Sequence, residues 1–163
     1  MDYSKLFSGE FPKEFYNFIY GSVHHHGMES RADYLVNRFG KVKILDIGTG
    51  CGHLVKLLRE RGAEAYGIEV SDYALSQSCA PEWVQKGDMR SIPFPDGFFD
   101  VVTSQAVMGY FPETDCELAI SECKRVGKQQ FHSIDTNCPI PAYNYKFMRP
   151  LDYWQGVFPD GVG

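Results

Sequence analysis

The spacing of apolar residues along the chain changes period several times, and each change marks an element. Met28, Ala32, Leu35, Val36 and Phe39 recur three and four apart, which predicts a helix over 28–39. "KVKILDIG" follows as a near-continuous aliphatic run, the mark of a buried strand. "HLVKLLRERG" returns to helical spacing, with Gly62 placed to cap its end. The alternation then repeats. "AEAYGIEV" is a second strand, and "SDYALSQS" opens a helix capped by Ser71 or Asp72. "WVQKGD" and "FFDVVTSQAV" are a third and a fourth strand, and "KQQFHSIDTN" is a fifth. Before the fifth, Cys116, Ala119, Ile120, Cys123 and Val126 share one face of a helix over 113–126. The aromatic stretch "FPKEFYNFIY" (11–20) and residues around 150–158 read as two further helices. Strands that alternate with helices require right-handed crossovers, hence a parallel, doubly wound α/β sheet with helices on both faces.

Composition narrows the picture without changing it. The 163 residues suit one domain, and 44% hydrophobic with 23% charged residues is the balance of a soluble globular chain. A net charge of −5 argues against a general grip on nucleic-acid backbone, so nucleic acid is not an expected partner. No apolar run is long enough to span a bilayer, so no membrane association is expected. The start, "MDYSKLFSGEF", lacks the apolar segment of a secretory signal. Five cysteines (51, 79, 116, 123, 138) form no CxxC pair, which reads as reduced thiols in a cytoplasmic protein. Cys116 and Cys123 read as buried apolar residues, and Cys51 as a small filler in a tight loop.

Candidate chemistry enters with "ILDIGTGCG" (44–52), where three glycines fall within five residues directly after a strand. In a doubly wound sheet such a turn lies at the carboxyl end of the strands, where ligands bind. A phosphate-binding P-loop would end in Gly-Lys-Ser or Gly-Lys-Thr, but Gly52 is followed by His53 and Leu54. A dinucleotide fingerprint would place its third glycine at position 53, which is His. S-adenosylmethionine carries no pyrophosphate and needs only close backbone approach. Two acids support that third reading. Glu69 ends the second strand, where a carboxylate can accept from two ribose hydroxyls. Asp88 ends the third, where it can accept from an adenine amine while Met89 packs on the ring.

"ILDIGTGCG", "AYGIEVSDYAL", "GDMRSIPFPDGFFDVV" and "ELAISECKRV" resemble, in order, the successive motifs of class I S-adenosylmethionine-dependent methyltransferases. The "IPFPDGFFDVV" stretch is similar to the small-molecule branch called methyltransferase domain 11. The resemblance covers roughly residues 28 to 137. It implies a Rossmann-like sheet in the order 3-2-1-4-5. It implies that Asp46, Gly48, Thr49, Gly50 and Gly52 hold the donor's methionine end, and that Glu69 with Val70 holds the ribose. Asp88 and Met89 would then hold the adenine, with Ser104 and Gln105 closing the pocket at the end of the fourth strand. Asp46 could equally hold the turn through its backbone amides, Met89 could be plain core, and Ser104 and Gln105 could be strand-end polar groups without a ligand.

The family's usual seven strands do not all find a counterpart. After "KQQFHSIDTN" 26 residues remain, rich in Pro139, Pro141, Tyr143, Tyr145, Phe147, Pro150, Tyr153 and Trp154, so the terminal hairpin is expected to be missing. The fifth strand would be an edge that needs cover, from this tail or across a homodimer. The organisation expected is a helical lid (1–40), a donor-binding core (41–137) and a Pro/aromatic tail (138–163) within one domain (1–163).

Methyl transfer from a sulfonium needs alignment and exclusion of water, and a base only where the acceptor must lose a proton. "TSQAVMGYF" lacks the Asn/Asp-Pro-Pro-aromatic and Pro-Cys patterns of nucleic-acid enzymes, which leaves a small-molecule or glycan acceptor. Asp135 and Asn137 follow the fifth strand, but position 104 is Ser, so no metal is expected. His24, His25 and His26 are read as a solvated loop or, for one of them, a general base. Tyr16, Tyr20 and Tyr110 could line an acceptor pocket or simply pack, and His132 reads as a core or edge histidine. His25 and Tyr20 are the catalytic candidates. The alternative function is a catalytically silent donor-binding domain, or a subunit completed by a partner chain. An NAD-linked oxidoreductase is disfavoured by His53.

Overall fold

The computed structural model describes residues 25–134, 136, 148–159 and 161. Five parallel strands form one sheet: β1 (Lys43–Ile47), β2 (Glu64–Glu69), β3 (Val84–Lys86), β4 (Phe99–Gln105) and β5 (Gly127–Ser133), in the order β3-β2-β1-β4-β5. Among the described residues, five α-helices accompany them: α1 (His25–Phe39), α2 (His53–Glu60), α3 (Asp72–Ser76), α4 (Glu113–Val126) and α5 (Leu151–Val157). A 3₁₀ turn, Met108–Tyr110, leads from β4 toward α4. Among the described residues no strand follows β5.

Alternation along each strand sends successive side chains into two cores. On one face Ile44, Ala65, Val101 and Phe131 meet Ala32 and Leu35 of α1 and Leu54, Val55 and Leu58 of α2. On the other, Leu45, Ile68 and Val102 meet Cys116, Ala119 and Cys123 of α4 and Trp154 of α5. Cys116 and Cys123 are therefore core residues, and burial holds both thiols well above their usual range. Ser71 caps α3, its hydroxyl accepting from the Ala74 amide at 3.2 Å. The "IPFPDG" loop is clamped to α4 by Arg125, which donates to the Ile92 and Phe94 carbonyls, and by Glu122, which accepts from the Ile92 amide at 2.7 Å.

The tail covers β5 within one chain. Trp154 and Phe158 are fully buried with stacked rings, and Phe158 lies 4.3 Å from the His132 ring. The His132 amide donates to the Gly161 carbonyl at 3.2 Å, so the tail takes a backbone donor from the outer edge of β5. The fifth strand ends at Ser133, short of the expected Asn137. The helix expected over 11–20 lies outside the described residues, as do Tyr16, Tyr20, His24, Asp135, Asn137 and most of the Pro-rich tail.

Candidate functional site

The carboxyl ends of β1, β2 and β4 meet at the glycine turn. Gly48, Gly50 and Gly52 have φ of 66°, 59° and 79°, the left-handed region that side chains resist. At Gly48 a Cβ would lie 2.5 Å from Val107 Cγ2, and at Gly52 one would lie 2.9 Å from Val84 Cγ2. The glycines thus set the backbone's handedness and also let Val107, just past β4, and Val84 of β3 approach the turn. The Gly48 and Thr49 amides both donate to the Ile68 carbonyl of β2, at 2.9 and 3.2 Å.

Glu69, not Asp46, holds the turn. The Glu69 carboxylate accepts from the Gly50 amide at 2.9 Å and from the Val70 and Ser71 amides at 2.9 and 3.0 Å. It is 5% exposed, so its position is fixed before any ligand arrives. Asp46, at the end of β1, is buried on the same side, and desolvation pushes its pKa up to about 6. Arg31 opposes that rise and Glu69 adds to it. The Thr49 hydroxyl also lies close enough to hold Asp46 down, yet its geometry falls short of a formed hydrogen bond.

Arg31 is the residue that periodicity could not single out. It reaches from α1 over the Phe131 ring, and its Nη2 donates to Thr103 Oγ1 at 2.7 Å and to the Ser104 carbonyl at 2.8 Å. Burial lowers its pKa, with Asp46 pulling the other way. Its Nε is buried with no hydrogen-bond partner. Two orphaned polar atoms, Arg31 Nε and Thr49 Oγ1, therefore flank the ends of β1 and β4. A buried polar group left unpaired costs about 1–3 kcal/mol, so such a pair is what a ligand with matching polar groups would satisfy.

The remaining expected residues divide. Ser104 is buried, with Oγ 2.8 Å from His132 Nδ1. The Gln130 amide nitrogen donates to the Cys123 and Gly127 carbonyls, so its oxygen must accept from His132 Nε2–H at 3.0 Å. That assigns the tautomer: His132 Nδ1 accepts and the Ser104 hydroxyl donates to it. Burial, with Arg31 nearby, lowers the His132 pKa to about 3, so the ring is neutral. Gln105 is exposed at the strand end. The next residue, Ala106, has φ of 54°, a left-handed conformation costing a non-glycine residue of order 1 kcal/mol, fastened by its amide to the Ser133 carbonyl at 2.8 Å.

Asp88 and Met89 carry structural roles as placed. Met89 is 3% exposed and packs in the core beside Ile68 and Ile92. Burial raises the Asp88 pKa, but hydrogen bonds from the Arg90 amide and guanidinium outweigh it and the net shift is downward. Arg90 also donates to Asp115 at 2.7 Å, so Asp88 belongs to an ion triad that joins β3's exit to α4. His25 and His26 begin α1. Among the described residues no three metal-ligating side chains converge.

The methyltransferase domain family (the domain 11 type) matches residues 45–130, just over half of the chain. The chain belongs to that family, within the class I S-adenosylmethionine-dependent methyltransferases. It is 30% identical over 120 residues to YcgJ, an uncharacterised methyltransferase of Bacillus subtilis, covering 68% of this chain and 47% of YcgJ. It is 29% identical over 137 residues to the demethylmenaquinone methyltransferase of Thermus thermophilus, covering 74% of this chain and 61% of that enzyme. The chain thus spans about half to three-fifths of these relatives' lengths. Among solved structures, YcgJ superposes with a TM-score of 0.66 at 22% identity, over 82% of this chain and 66% of YcgJ. The cyclase SpnF superposes at 0.52 with 27% identity, over 62% of this chain and 41% of SpnF.

Proposed function

We propose that the chain binds S-adenosylmethionine across the carboxyl ends of β1, β2 and β4 and directs its methyl group to a small-molecule or glycan acceptor. The observation that carries this is the pairing of a prefixed acceptor on the glycine turn, Glu69, with a part-buried, under-partnered cation at the ends of β1 and β4, Arg31. Their chemistry suits a ligand with hydroxyl donors at one end and a carboxylate at the other. Glu69 would take the ribose hydroxyls as further donors to a carboxylate already aimed by three amides. Arg31 Nε would meet the carboxylate of the methionine portion. Gly48, Thr49, Gly50 and Gly52 bring bare backbone against it, with the Thr49 hydroxyl as a further polar contact. Val70 lies beside the ribose position, and Met89 and Asp88 would border the adenine, the latter by sharing its carboxylate between Arg90 and the ring amine. Ser104 and Gln105 would border the reacting end.

When bound, the donor supplies a methyl group already activated on a sulfonium. What this chain must add is alignment and a dry site. The left-handed Ala106 and the Ser104–His132–Gln130 chain fix the end of β4, where an acceptor would be aligned. His25 and Tyr20 remain the candidates for a base, should the acceptor need to lose a proton. Relatives named for demethylmenaquinone and for ubiquinone biosynthesis support the small-molecule half of the acceptor class.

A second reading is a donor-binding domain that does not transfer methyl, alone or completed by a partner chain. The likeness to a cyclase at 27% identity favours keeping it, since a related chain is described as doing other chemistry on this fold. One experiment separates the two. Release of S-adenosylhomocysteine is followed over a panel of phenolic, quinol and glycan acceptors, with the wild type and with Glu69→Ala. Turnover that Glu69→Ala weakens by about 1.5–3 kcal/mol in donor affinity supports the enzyme. Donor binding with no turnover on any acceptor supports the silent domain.

A further inference from the structure

The glycine turn carries a thiol, and a second thiol lies against it. The Cys79 amide donates to the Cys51 carbonyl at 2.9 Å, and Cys79 Sγ lies 3.2 Å from that same oxygen. Standard bond lengths put a Cα about 2.4 Å from its own carbonyl oxygen and about 1.5 Å from its own nitrogen. Adding the 2.9 Å hydrogen bond caps the Cα separation of Cys51 and Cys79 at about 6.8 Å. Disulfides form at Cα separations of about 4.4–6.8 Å, so the backbone separation of the pair falls within the bridging range. The neighbouring residues confirm that the two loops face each other: a Cβ on Gly52 would lie 3.2 Å from Ser78 Oγ and 3.4 Å from Ala80 Cβ.

The surroundings give the pair an order of reaction. Cys79 is exposed and Cys51 half-buried. Partial burial holds both thiols above their ordinary value, so neither is a standing thiolate. His53 Nδ1 lies 3.5 Å from Cys79 Sγ, within reach of its proton.

We propose that Cys51 and Cys79 form a reversible intramolecular disulfide that fastens the glycine turn to the loop after α3 and shuts the turn to a ligand. The oxidant is a low-molecular-weight disulfide. Cys79, its proton passed to His53 or solvent, attacks one sulfur of that disulfide and releases the other as a thiol. Cys51 then loses its proton, attacks Cys79 Sγ and releases the second thiol. Two protein thiols are oxidised to one disulfide while the reagent disulfide is reduced to two thiols, so two electrons and two protons balance. The bond joins Cys51, next to the Gly50 amide that aims Glu69, to a loop on the far side of the turn. The turn then loses the freedom to adjust around a ligand.

The test uses the full chain incubated with oxidised glutathione. Intact mass should fall by two hydrogens with no retained glutathione, and a non-reducing digest should join the peptides of residues 51 and 79. Amide hydrogen exchange over 48–53 should slow on oxidation and recover on reduction. The effect on S-adenosylhomocysteine, which rests on the donor reading above, should be a loss of affinity of about tenfold or more, absent in Cys79→Ser. An unchanged mass, a glutathione adduct that persists on Cys79, or a disulfide that leaves both exchange and affinity unaltered overturns the proposal. Failure of the reduced protein to bind donor counts against the donor reading alone, because mass and exchange still decide the crosslink.

Discussion

Replacing His132 by Gln should make the protein gain stability on mild acidification relative to wild type, and replacing Asp46 by Asn should do the reverse. His132 is held near 3 instead of its ordinary 6.5, by burial first and by Arg31 second. The unfolded chain therefore takes a proton that the folded chain refuses. Stability from this group is complete above about pH 6.5 and falls by about 1.4 kcal/mol per pH unit as pH drops toward 3. Asp46 has the opposite sign. Burial raises it from 3.8 to about 6, so the folded chain takes a proton that the unfolded chain does not. Its contribution improves by about 1.4 kcal/mol per unit as pH falls from about 6 to about 4.

Between about pH 6 and about pH 4.5 the two slopes oppose and nearly cancel in the wild type. His132→Gln leaves the Asp46 slope, a relative gain of about 2 kcal/mol across that window. Asp46→Asn leaves the His132 slope, a relative loss of about 2 kcal/mol. Each substitution also shifts the overall level, because the His132 ring packs on Phe158 and Asp46 faces Arg31. The partly exposed carboxylates held low, such as Asp100 beside Lys128 and Glu122 beside Arg125, titrate alike in all three proteins. The readout is therefore the difference from wild type in urea-unfolding free energy, measured at several pH values across the window. Parallel pH profiles for the three proteins would refute both the neutral buried histidine and the protonatable Asp46.

Gly52→Ala should destabilise by about 1–3 kcal/mol in chemical denaturation, since it combines a left-handed φ with a Cβ 2.9 Å from Val84. Trp154→Ala should cost about 3–5 kcal/mol in the same assay, because the ring is fully buried in the core shared with Cys116, Ala119 and Cys123 of α4. A loss under about 1 kcal/mol would mean that the tail is not part of the folded unit. Deleting residues 1–20 should suppress turnover more than it weakens donor binding, as expected of a segment that closes over the acceptor. Unimpaired methyl transfer would remove the lid assignment.

The fold was legible because its signals are local. The aliphatic runs of β1, β2 and β4, the stripe of α4 and the Ser71 cap each announce themselves within a few residues, and alternation supplies the parallel sheet. The glycine turn and Glu69 were legible for the same reason. What escaped were pairings across the sequence. Arg31 sits on α1 beside the apolar stripe and looks like any polar helix residue until β1 and β4 close around it, 72 positions away from Thr103. Ser104 looked like a strand-end hydroxyl because its partner, His132, is on the next strand. Asp88 suited an adenine contact at the end of β3, and nothing nearby foretold that Arg90 would turn back to it while also reaching Asp115 on α4. Ala106 carries no sequence mark of its left-handed conformation, because that is imposed by the Ser133 carbonyl.

Calorimetric titration of the purified chain with S-adenosylhomocysteine and, separately, with NAD tests the central reading most directly. The glycine turn with Glu69 and Arg31 predicts micromolar binding of S-adenosylhomocysteine and no measurable heat with NAD. Binding of NAD with none of S-adenosylhomocysteine would contradict it.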